Sequence, residues 1–460
     1  MISVNDKLIE ECGVFGIFNT EEAAVLTALG LHSLQHRGKE GAGIVTFDGK
    51  NFNGVRSQGL VSNTFAKPEI INQLPGKNAV GHVRYSTQGE SIDKNIQPLF
   101  ADLAAGGFAC AHNGNLINAL EIRKELIKKG AIFQTTSDTE TILQLVALSR
   151  KKLIRDKLID ALKKIKGAYS LVILTNKKLI GVRDPYGIRP LVLGIKDGSY
   201  VLASETCALN IIGADYVRDI KNGEIVIINK DGIESIRPFK RRKERPCIFE
   251  RIYFSRPDSI VDGETIYTYR KKLGEQLAIE NKFSADVVVP VLDSGVSAAI
   301  GFAQKSKIPF ELGLFRSHYV GRTFIEPTQN IRQFGVKLKH SVNKSCIQNK
   351  KVVLIDDSIV RGTTSKKIVK ELFDSGAKEV HLGISCPPIT HPDFYGIDTP
   401  NYSELIASKN TIEEMAKIIG VNSLFFLSLD GTYKAMGYKK RNDKSPQFTD
   451  HCFTGEYPIK

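Results

Sequence analysis

The sequence has no apolar run long enough to cross a membrane. Its longest apolar runs, DVVVPVL and KVVLI, are the length of single strands, whereas a membrane-spanning helix needs about 20 apolar residues. The first residues, MISVNDKLIEE, have neither a basic start nor a continuous apolar stretch, which excludes a secretion signal. We therefore expect a cytoplasmic protein with no membrane partner.

A disulfide framework and internal repeats are also missing. The 460 residues include 7 cysteines, an odd number without close regular spacing, which fits a reducing compartment. No repeat or low-complexity tract is present. A chain of this length with 42% hydrophobic residues is expected to fold into two or three domains.

The formal net charge of +14 raises the question of nucleic-acid binding. Basic residues are dispersed, however, and the one dense cluster, KRRKERP at 240–246, has no recognition motif or interleaved aromatic residues beside it. A solvated basic surface, or an enzyme that handles polyphosphate substrates, explains the surplus equally well. We expect no nucleic-acid partner.

The pattern that is present divides into two halves. Strands separated by short turns dominate the first half, as at 167–205, and predict antiparallel sheets that share a core with helices. From about residue 247 the strands ADVVVPVL, ELGLF, KKVVLI and KEVHLGIS alternate with helical segments, which predicts a parallel sheet covered by helices. With the proline-flanked stretch 237–246 as boundary, the predicted divisions are a leader at 1–11 and domains at 12–242 and 243–460.

Cys12 opens the apolar alternation of IEECGVFGIF, directly behind the polar leader. One interpretation is a small buried residue that starts a strand. The other is that residues 1–11 are removed, which leaves the α-amino group of Cys12 free beside its own thiol. With an ordinary pKa of about 7.7–8.0, this amine can act as a general base for the thiol. The stretch alone leaves both interpretations open.

Four further segments of the first half carry polar residues that a core does not need: LQHRGKEGAG (34–43), GHVRYSTQG (81–89), CAHNGNL (110–116) and TTSDTET (135–141). Arg84 follows an apolar strand, and its planar guanidinium suits a carboxylate. Asn113 and Gly114 supply a side-chain amide and a nearby backbone N–H, the donors of an oxyanion hole. Each feature has an ordinary alternative, such as a surface arginine or a turn.

The last of these segments predicts the start of a helix. Ser137 stands three residues before Glu140, the spacing of a capping box. This arrangement would hold Asp138 in the first turn of the helix.

In this order behind CGVFG, the segments resemble the glutamine amidotransferase domain of the N-terminal-nucleophile hydrolase class, an α+β fold with an αββα sandwich. The resemblance implies that the cysteine attacks the side-chain amide of glutamine, that the amide and N–H stabilise the oxyanion, and that other residues hold or order the amino acid. The implied catalytic residues are Cys12, Asn113 and Gly114, and the implied glutamine-binding residues are Arg37, Arg84 and Asp138.

A second candidate site lies in KKVVLIDDSIVRGTTSKKIVKELFDSGA (350–377). A predicted strand delivers two carboxylates, Asp356 and Asp357, and the polar turn SIVRGTTS opens a helix that ends near Gly376. Backbone N–H groups and hydroxyls at a helix N-terminus can cradle a phosphate, and the acidic pair can bind ribose hydroxyls or a metal. The alternative is an ordinary strand–turn–helix with an acidic N-cap.

A second strand–loop–helix unit, VVVPVLDSGVSAAIGFA (287–303), places Asp293, Ser294 and Gly295 at a strand end. Gly295 would let backbone amides approach an anion. The connection between the two units, 318–341, is long and polar, and loops of this length are usually functional or disordered. The alternative is that 318–341 is a solvent-exposed surface loop without a function.

Both units resemble the type I phosphoribosyltransferases, which have an α/β fold with a parallel sheet. The resemblance implies that 318–341 is a flexible loop that closes over the substrate and that Mg²⁺ is held by Ser294, Asp356 and Asp357. The implied ligands of phosphoribosyl pyrophosphate are Asp293, Ser294, Gly295, Asp356, Asp357, Ser358, Arg361, Gly362, Thr363, Thr364 and Ser365, with Tyr319, Arg322 and Lys337 from the loop.

The two halves together resemble the amidophosphoribosyltransferase family from Cys12 to about Pro458. The resemblance implies that glutamine is hydrolysed at Cys12 and that ammonia passes between the domains. There it displaces pyrophosphate to give 5-phosphoribosylamine, the first step of purine synthesis. It also implies feedback by purine nucleotides and a homodimer or homotetramer.

Two alternative functions share only one half of the pattern. Another N-terminal-cysteine glutamine-dependent synthase should lack VVLIDDSIVRGTTS. A non-catalytic regulator that senses phosphoribosyl pyrophosphate has no use for the Cys12 site.

One departure from the family pattern concerns an iron–sulfur cluster, which members with a cleaved leader commonly hold with four cysteines. Cys247 and Cys452 match those positions, whereas Asp393 and Thr449 occupy the other two. Neither replaces a thiolate well, so we expect no cluster. A zinc site from Cys247, Cys452, Asp393 and His451 is chemically possible, although the spacing shows no zinc motif. The expectation is that packing and hydrogen bonds hold the C-terminal segment.

Overall fold

A computed structural model describes residues 12–85, 93–316, 340–397 and 401–460 of the chain. The strands of the first half are β1 Gly13–Phe18, β2 Gly41–Phe47, β3 Phe52–Gln58, β4 Asn78–Arg84, β5 Leu99–Leu103, β6 Gly106–Leu116, β7 Gly167–Thr175, β8 Leu179–Arg183, β9 Val192–Lys196, β10 Ser199–Ala203, β11 Asp215–Asp219, β12 Ile225–Asn229 and β13 Gly232–Ile236. They form a seven-stranded sheet of order β11–β9–β10–β1–β4–β2–β3 and a six-stranded sheet of order β13–β12–β8–β7–β6–β5. All pairings within these two sheets are antiparallel, as predicted.

The two sheets pack face to face because their strands carry apolar residues on both faces. Val14 and Val80 of the larger sheet meet Ala109 and Val172 of the smaller one in a shared core. The outer face of the larger sheet is covered by helices Ala23–Ser33 and Thr206–Ile212. The outer face of the smaller sheet is covered by helices Ala119–Lys128, Thr139–Leu148 and Ile154–Leu162. This is the αββα sandwich that the family resemblance implied.

The second half contains β14 Ile260–Val261, β15 Glu264–Thr265, β16 Val287–Pro290, β17 Leu314–Arg316, β18 His340–Val342, β19 Lys351–Asp356, β20 Glu379–Ile384 and β21 Ser423–Phe426. A parallel sheet has the order β16–β19–β20–β21, which confirms the predicted α/β architecture. Its main helices are Ile266–Glu280, Val296–Ser306, Thr363–Asp374, Ile412–Ile419 and Leu429–Ala435.

The prediction for ELGLF as a strand of the parallel sheet is wrong. Glu311 bonds to Val288 of β16, but the chain then leaves the sheet edge and β17 pairs antiparallel with β18. The fourth parallel strand is instead β21, the short apolar run SLFF, which the alternation pattern did not include. The reason is tertiary, because strand propensity does not determine which partner a strand chooses.

The two halves share an apolar core near the start of the second half of the chain. The last strand of the antiparallel sheets ends at Ile236, and Cys247 packs in the same apolar cluster as Val288, together with Ile188 from the first half. The predicted domain boundary at 242/243 falls in the connection between them and stays a prediction. Among the described residues, no helix has the length and hydropathy that a membrane crossing requires.

Candidate active sites

Cys12 lies at the entrance of β1, next to the end of β4. Gly13 pairs with Val83, and the Cys12 thiol donates a hydrogen bond to the carbonyl oxygen of Tyr85 at 3.7 Å. Cys12 is buried and has a φ of 36°, a region that is uncommon for a residue other than glycine. The sulfur is therefore held at the strand ends that also carry Arg84.

Two buried histidines connect β4 with β6. The ring nitrogen Nε2 of His82 lies 3.1 Å from the carbonyl oxygen of His112, the residue before Asn113. Burial lowers the pKa of His82 to about 3, so its imidazole is neutral near neutral pH and donates this bond. The contact fixes the distance between the two sheets where Asn113 lies.

Asn113 is fully buried, and neither polar atom of its side-chain amide has a hydrogen-bond partner among the described residues. Such groups are rare in native structures because burying an unpaired amide costs free energy. Gly114 follows with a φ of +137°, and a Cβ there would lie 2.1 Å from the carbonyl oxygen of Ala168. Only glycine fits this position, and the adjacent unpaired amide is available to a ligand.

Asp138 bonds to β6 two residues after Gly114. Its Oδ2 accepts the backbone N–H of Leu116 at 2.9 Å, and its Oδ1 lies 3.7 Å from Nδ1 of His112. Burial opposes ionisation of this carboxyl, but His112 and the Leu116 N–H outweigh it and lower the pKa of Asp138. The carboxylate is therefore charged at neutral pH and can hold an ammonium group.

The predicted capping box at 137–140 is wrong. The helix begins at Thr139 with Asp138 as its N-cap residue, the Asp138 side chain makes no cap hydrogen bond, and the Ser137 hydroxyl accepts the N–H of Thr139 rather than that of Glu140. The Glu140 carboxylate turns back instead and accepts the backbone N–H groups of Gln134 and Thr135 at 2.7 Å each. The loop before the helix competes for Glu140, which sequence spacing cannot show.

The loop that contains Arg37 packs against the end of β4, where Arg84 lies. Gly38 packs so closely that a Cβ would lie 2.6 Å from the Arg84 carbonyl carbon. The Arg37 guanidinium is 1% exposed and forms ion pairs with Glu205 and Glu250. Its assignment as a glutamine ligand stays a prediction. The two glutamates were missed, because nothing in the local pattern marks them as buried.

The acidic pair of the second site lies where β19 ends, as predicted. Asp356 and Asp357 are 2% and 1% exposed. Oδ1 of Asp356 accepts the Asp357 backbone N–H at 2.9 Å and the Ser294 hydroxyl at 3.2 Å. Ser358 donates its hydroxyl to Oδ2 of Asp357 at 2.5 Å. These are oxygen donors of the kind that Mg²⁺ prefers.

The loop after β16 meets the end of β19. A Cβ at Gly295 would lie 2.3 Å from the carbonyl oxygen of Ile355, so glycine is required for this approach. Ser294 is half-buried and Asp293 is exposed. The structure thus brings all three residues to the same sheet edge as Asp356.

The polar turn after Asp357 leads into helix Thr363–Asp374, and Gly362 is its N-cap residue with a φ of +79°. Thr363 is exposed, Thr364 half-buried and Ser365 buried. Arg361 forms an ion pair with Glu404 at 2.7 Å, a partner that the sequence did not indicate. The leader 1–11 and the predicted ligands Tyr319, Arg322 and Lys337 lie outside the described residues.

Comparisons with known proteins cover both halves. A glutamine amidotransferase domain model matches residues 82–210. The amidophosphoribosyltransferase of Rhizobium etli is 56% identical over 99% of this chain and 93% of its own length. That of Bacillus subtilis is 48% identical over 100% of this chain and 96% of its own length.

Solved structures agree. The glutamine phosphoribosylpyrophosphate amidotransferase from B. subtilis, complexed with ADP and GMP, superposes with a TM-score of 0.92 at 47% identity, covering 98% of both chains. A structure described as the allosteric regulatory enzyme of purine biosynthesis superposes with a TM-score of 0.93 at 47% identity, covering 98% of this chain and 96% of the other. The chain therefore belongs to the amidophosphoribosyltransferase family of glycosyltransferases.

Proposed function

We propose that this enzyme converts phosphoribosyl pyrophosphate, glutamine and water into 5-phosphoribosylamine, glutamate and pyrophosphate, the first step of purine synthesis. The observation that carries this proposal is that one chain combines the buried Cys12 thiol, a buried Asn113 amide without a partner among the described residues and the Asp138 carboxylate with an acidic pair at a parallel strand end. The first arrangement suits hydrolysis of an amide, and the second suits binding of a sugar phosphate.

In the first half, Cys12 becomes the N-terminal residue when 1–11 are removed, and its amine takes the proton of its own thiol. The sulfur attacks the amide carbon of glutamine, and the oxyanion is stabilised by the Asn113 amide and the Gly114 N–H. Ammonia leaves, and water hydrolyses the thioester to glutamate. Arg84 and Asp138 hold the carboxylate and ammonium of the amino acid, while Arg37 orders the loop beside them.

In the second half, ammonia attacks C1 of the ribose and pyrophosphate leaves. This reaction needs no nucleophile from the protein, so the site acts by positioning and by charge neutralisation. The turn from Ser358 to Ser365 receives the 5′-phosphate, and Asp356 and Asp357 bind the ribose hydroxyls. The loop at 293–295 receives pyrophosphate.

Magnesium fits this site because its nearest donors are hard oxygens. Ser294, Asp356 and Asp357 would hold the ion, with the Ser294 hydroxyl within 3.2 Å of the Asp356 carboxylate. When bound, Mg²⁺ neutralises charge on the leaving pyrophosphate. The buried carboxylates would otherwise repel that group.

Regulation by purine nucleotides follows from shared chemistry. A nucleoside monophosphate carries the same ribose 5′-phosphate as the substrate, so it can occupy the 356–366 cradle. The ADP and GMP bound to the B. subtilis relative support this proposal. A homodimer or homotetramer is proposed from the same family relationship.

The test is pyrophosphate release measured with glutamine or with ammonia as nitrogen source. Cys12→Ala should abolish the glutamine reaction and leave the ammonia reaction intact, because the second site uses other residues. The measured intact mass of the wild-type protein should equal that of a chain that begins at Cys12. Glutamine-dependent turnover by Cys12→Ala, or by protein that retains Met1, would refute the nucleophile assignment.

The matching test of the second site is the double variant Asp356→Asn, Asp357→Asn. Both reactions should fall to background, because neither nitrogen source would meet a correctly held ribose. The surface variant Glu413→Gln is the control and should keep both. An ammonia reaction that persists in the double variant would show that the acidic pair was misassigned.

A further inference from the structure

The C-terminal segment meets the rest of the chain at a buried group of metal-ligating side chains, Asp393, His451 and Cys452. Their donor atoms all lie within 4.8 Å of one another. Nε2 of His451 is 2.8 Å from Oδ2 of Asp393 and 3.5 Å from Sγ of Cys452. His451 and Cys452 are each 1% exposed. The reactions proposed above use none of these residues.

The four-thiolate cluster that the family resemblance implies does not fit here. Of its four positions, Asp393 supplies a carboxylate, and the Thr449 hydroxyl already donates to the carbonyl oxygen of Arg245 at 2.6 Å. Two thiols remain, which is half of the usual donor set of an iron–sulfur cluster. We therefore keep the proposal that no such cluster is present.

Backbone contacts hold the three side chains in place before any ion binds. Oδ1 of Asp393 accepts the N–H groups of Tyr395 and Ile397 at 2.6 and 2.9 Å, which turns Oδ2 toward His451. The Cys452 carbonyl accepts the N–H groups of Thr390 and His391 at 2.9 and 3.1 Å. Carboxylates that bind metal ions are typically held in place by hydrogen bonds from neighbouring groups.

Cys247 is the nearest further thiol for a fourth donor, but it lies outside the group of atoms within 4.8 Å of one another, so its side chain must turn toward them. Cys247 is 1% exposed, and its backbone forms an isolated parallel β-bridge with Thr449, three residues before Cys452. Both thiols belong to the same buried apolar cluster. One oxygen, one nitrogen and two sulfurs form a donor set that zinc accepts in tetrahedral sites.

We propose that Asp393, His451, Cys452 and Cys247 bind one structural zinc ion that fastens the C-terminal segment to the start of the second half. Zinc bonds of about 2.0–2.3 Å separate tetrahedral donors by roughly 3.3–3.8 Å. The His451–Cys452 distance already agrees, and the Asp393–His451 contact opens by about half an ångström. Both thiols lose their protons on binding, so each zinc ion releases two protons.

The first experiment measures zinc retained by the full chain. Protein stripped with a chelator is mixed with Zn²⁺, desalted and analysed for metal. Wild type and the control Cys346→Ser, which removes a thiol elsewhere, should each retain about one zinc per chain. Cys247→Ser, Cys452→Ser should retain at least ten-fold less, and only the first two proteins should gain roughly 5 °C or more in Tm with zinc.

Cobalt provides a readout that does not depend on a variant that folds. Co²⁺ in the wild type should give the thiolate-to-metal charge-transfer absorbance of a tetrahedral sulfur site. The proposal is overturned by a wild type that retains no zinc, by a cobalt spectrum without a thiolate band, or by equal zinc in wild type and double variant. Stoichiometric iron with sulfide in anaerobically purified wild type would also overturn it.

Discussion

At the residue scale, Asn113, the proposed oxyanion donor, carries a cost in stability. Its side-chain amide is fully buried and has no partner in the described part of the chain. Leaving a buried polar group unpaired costs about 1–3 kcal/mol. In the proposed reaction, the substrate oxyanion satisfies this amide, which would link the stability cost to catalysis.

The variant Asn113→Ala tests this relationship. Glutamine-dependent turnover should fall by about 10²–10³-fold, the usual effect of removing one oxyanion donor, while ammonia-dependent turnover stays unchanged. Tm should not fall, because the variant removes an unsatisfied group. The measurements are pyrophosphate release with each nitrogen source and thermal unfolding.

Asn118→Ala is the matched control, since Asn118 bonds to Lys164 and Lys166 and lies outside the site. It should keep both reactions and lose some stability. A drop in Tm for Asn113→Ala with normal glutamine turnover would assign Asn113 to the fold.

At the element scale, the second site depends on the close approach of a loop to a strand end. The loop after β16 reaches β19 only because Gly295 has no side chain, since a Cβ would meet the Ile355 carbonyl oxygen at 2.3 Å. Ser294 can then bond to Asp356. Two elements distant in sequence therefore meet at the proposed anion and metal site.

The variant Gly295→Ala should displace this loop and weaken binding of phosphoribosyl pyrophosphate. We expect its KM to rise at least ten-fold with either nitrogen source, whereas the glutaminase site, in another domain, keeps its KM for glutamine. Steady-state kinetics at varied substrate check this. Gly54→Ala on β3, where the nearest atom is a Val45 methyl at 3.2 Å, is the control. An unchanged KM in Gly295→Ala would disprove the close-approach argument.

At the scale of the whole molecule, a buried ion network joins the two halves. Glu250 of the second half pairs with Arg37 and Arg189 of the first. Glu205 of the first half pairs with Arg37 and accepts the backbone N–H of Arg256 at 2.9 Å. The loop that supports Arg84 is thus fixed by the second half.

The variant Glu250→Gln should destabilise the protein by roughly 3–5 kcal/mol at neutral pH, since it leaves two buried arginines without this charge. Its effect should also depend on pH. Burial opposes ionisation of Glu250, but Arg37 and Arg189 outweigh it and hold its pKa below the ordinary 4.5. The stabilisation is therefore complete above pH 4.5 and is lost as the pH falls through the folded pKa.

Denaturant unfolding of the full chain at pH 7 and below pH 4.5 measures both effects. The difference between wild type and Glu250→Gln should shrink on acidification. The variant Glu234→Gln, in which an exposed carboxylate partner of Arg155 is lost, should change stability by less than about 1 kcal/mol. A Glu250→Gln difference that is constant or grows toward low pH would contradict the assigned ion pairs.

The sequence alone determined the features that depend on neighbouring residues. Alternation of apolar residues predicted the antiparallel and parallel halves, and adjacent residues such as Asn113 and Gly114, or Asp356 and Asp357, marked both sites, because a strand end holds consecutive residues together. The assignments of Cys12 and the Mg²⁺ ligands came from the family resemblance and remain predictions.

Only the tertiary structure decided how distant segments pair. The Glu140 carboxylate bonds to the loop before its helix, and the end of ELGLF pairs with β18. The buried partners of Arg37, Glu205 and Glu250, lie in segments more than 160 residues away along the chain. The donors near Asp393 likewise come from separate segments, so their spacing showed no motif. Local periodicity fixes which face of an element is apolar, whereas the choice of partner depends on the packing of the whole chain.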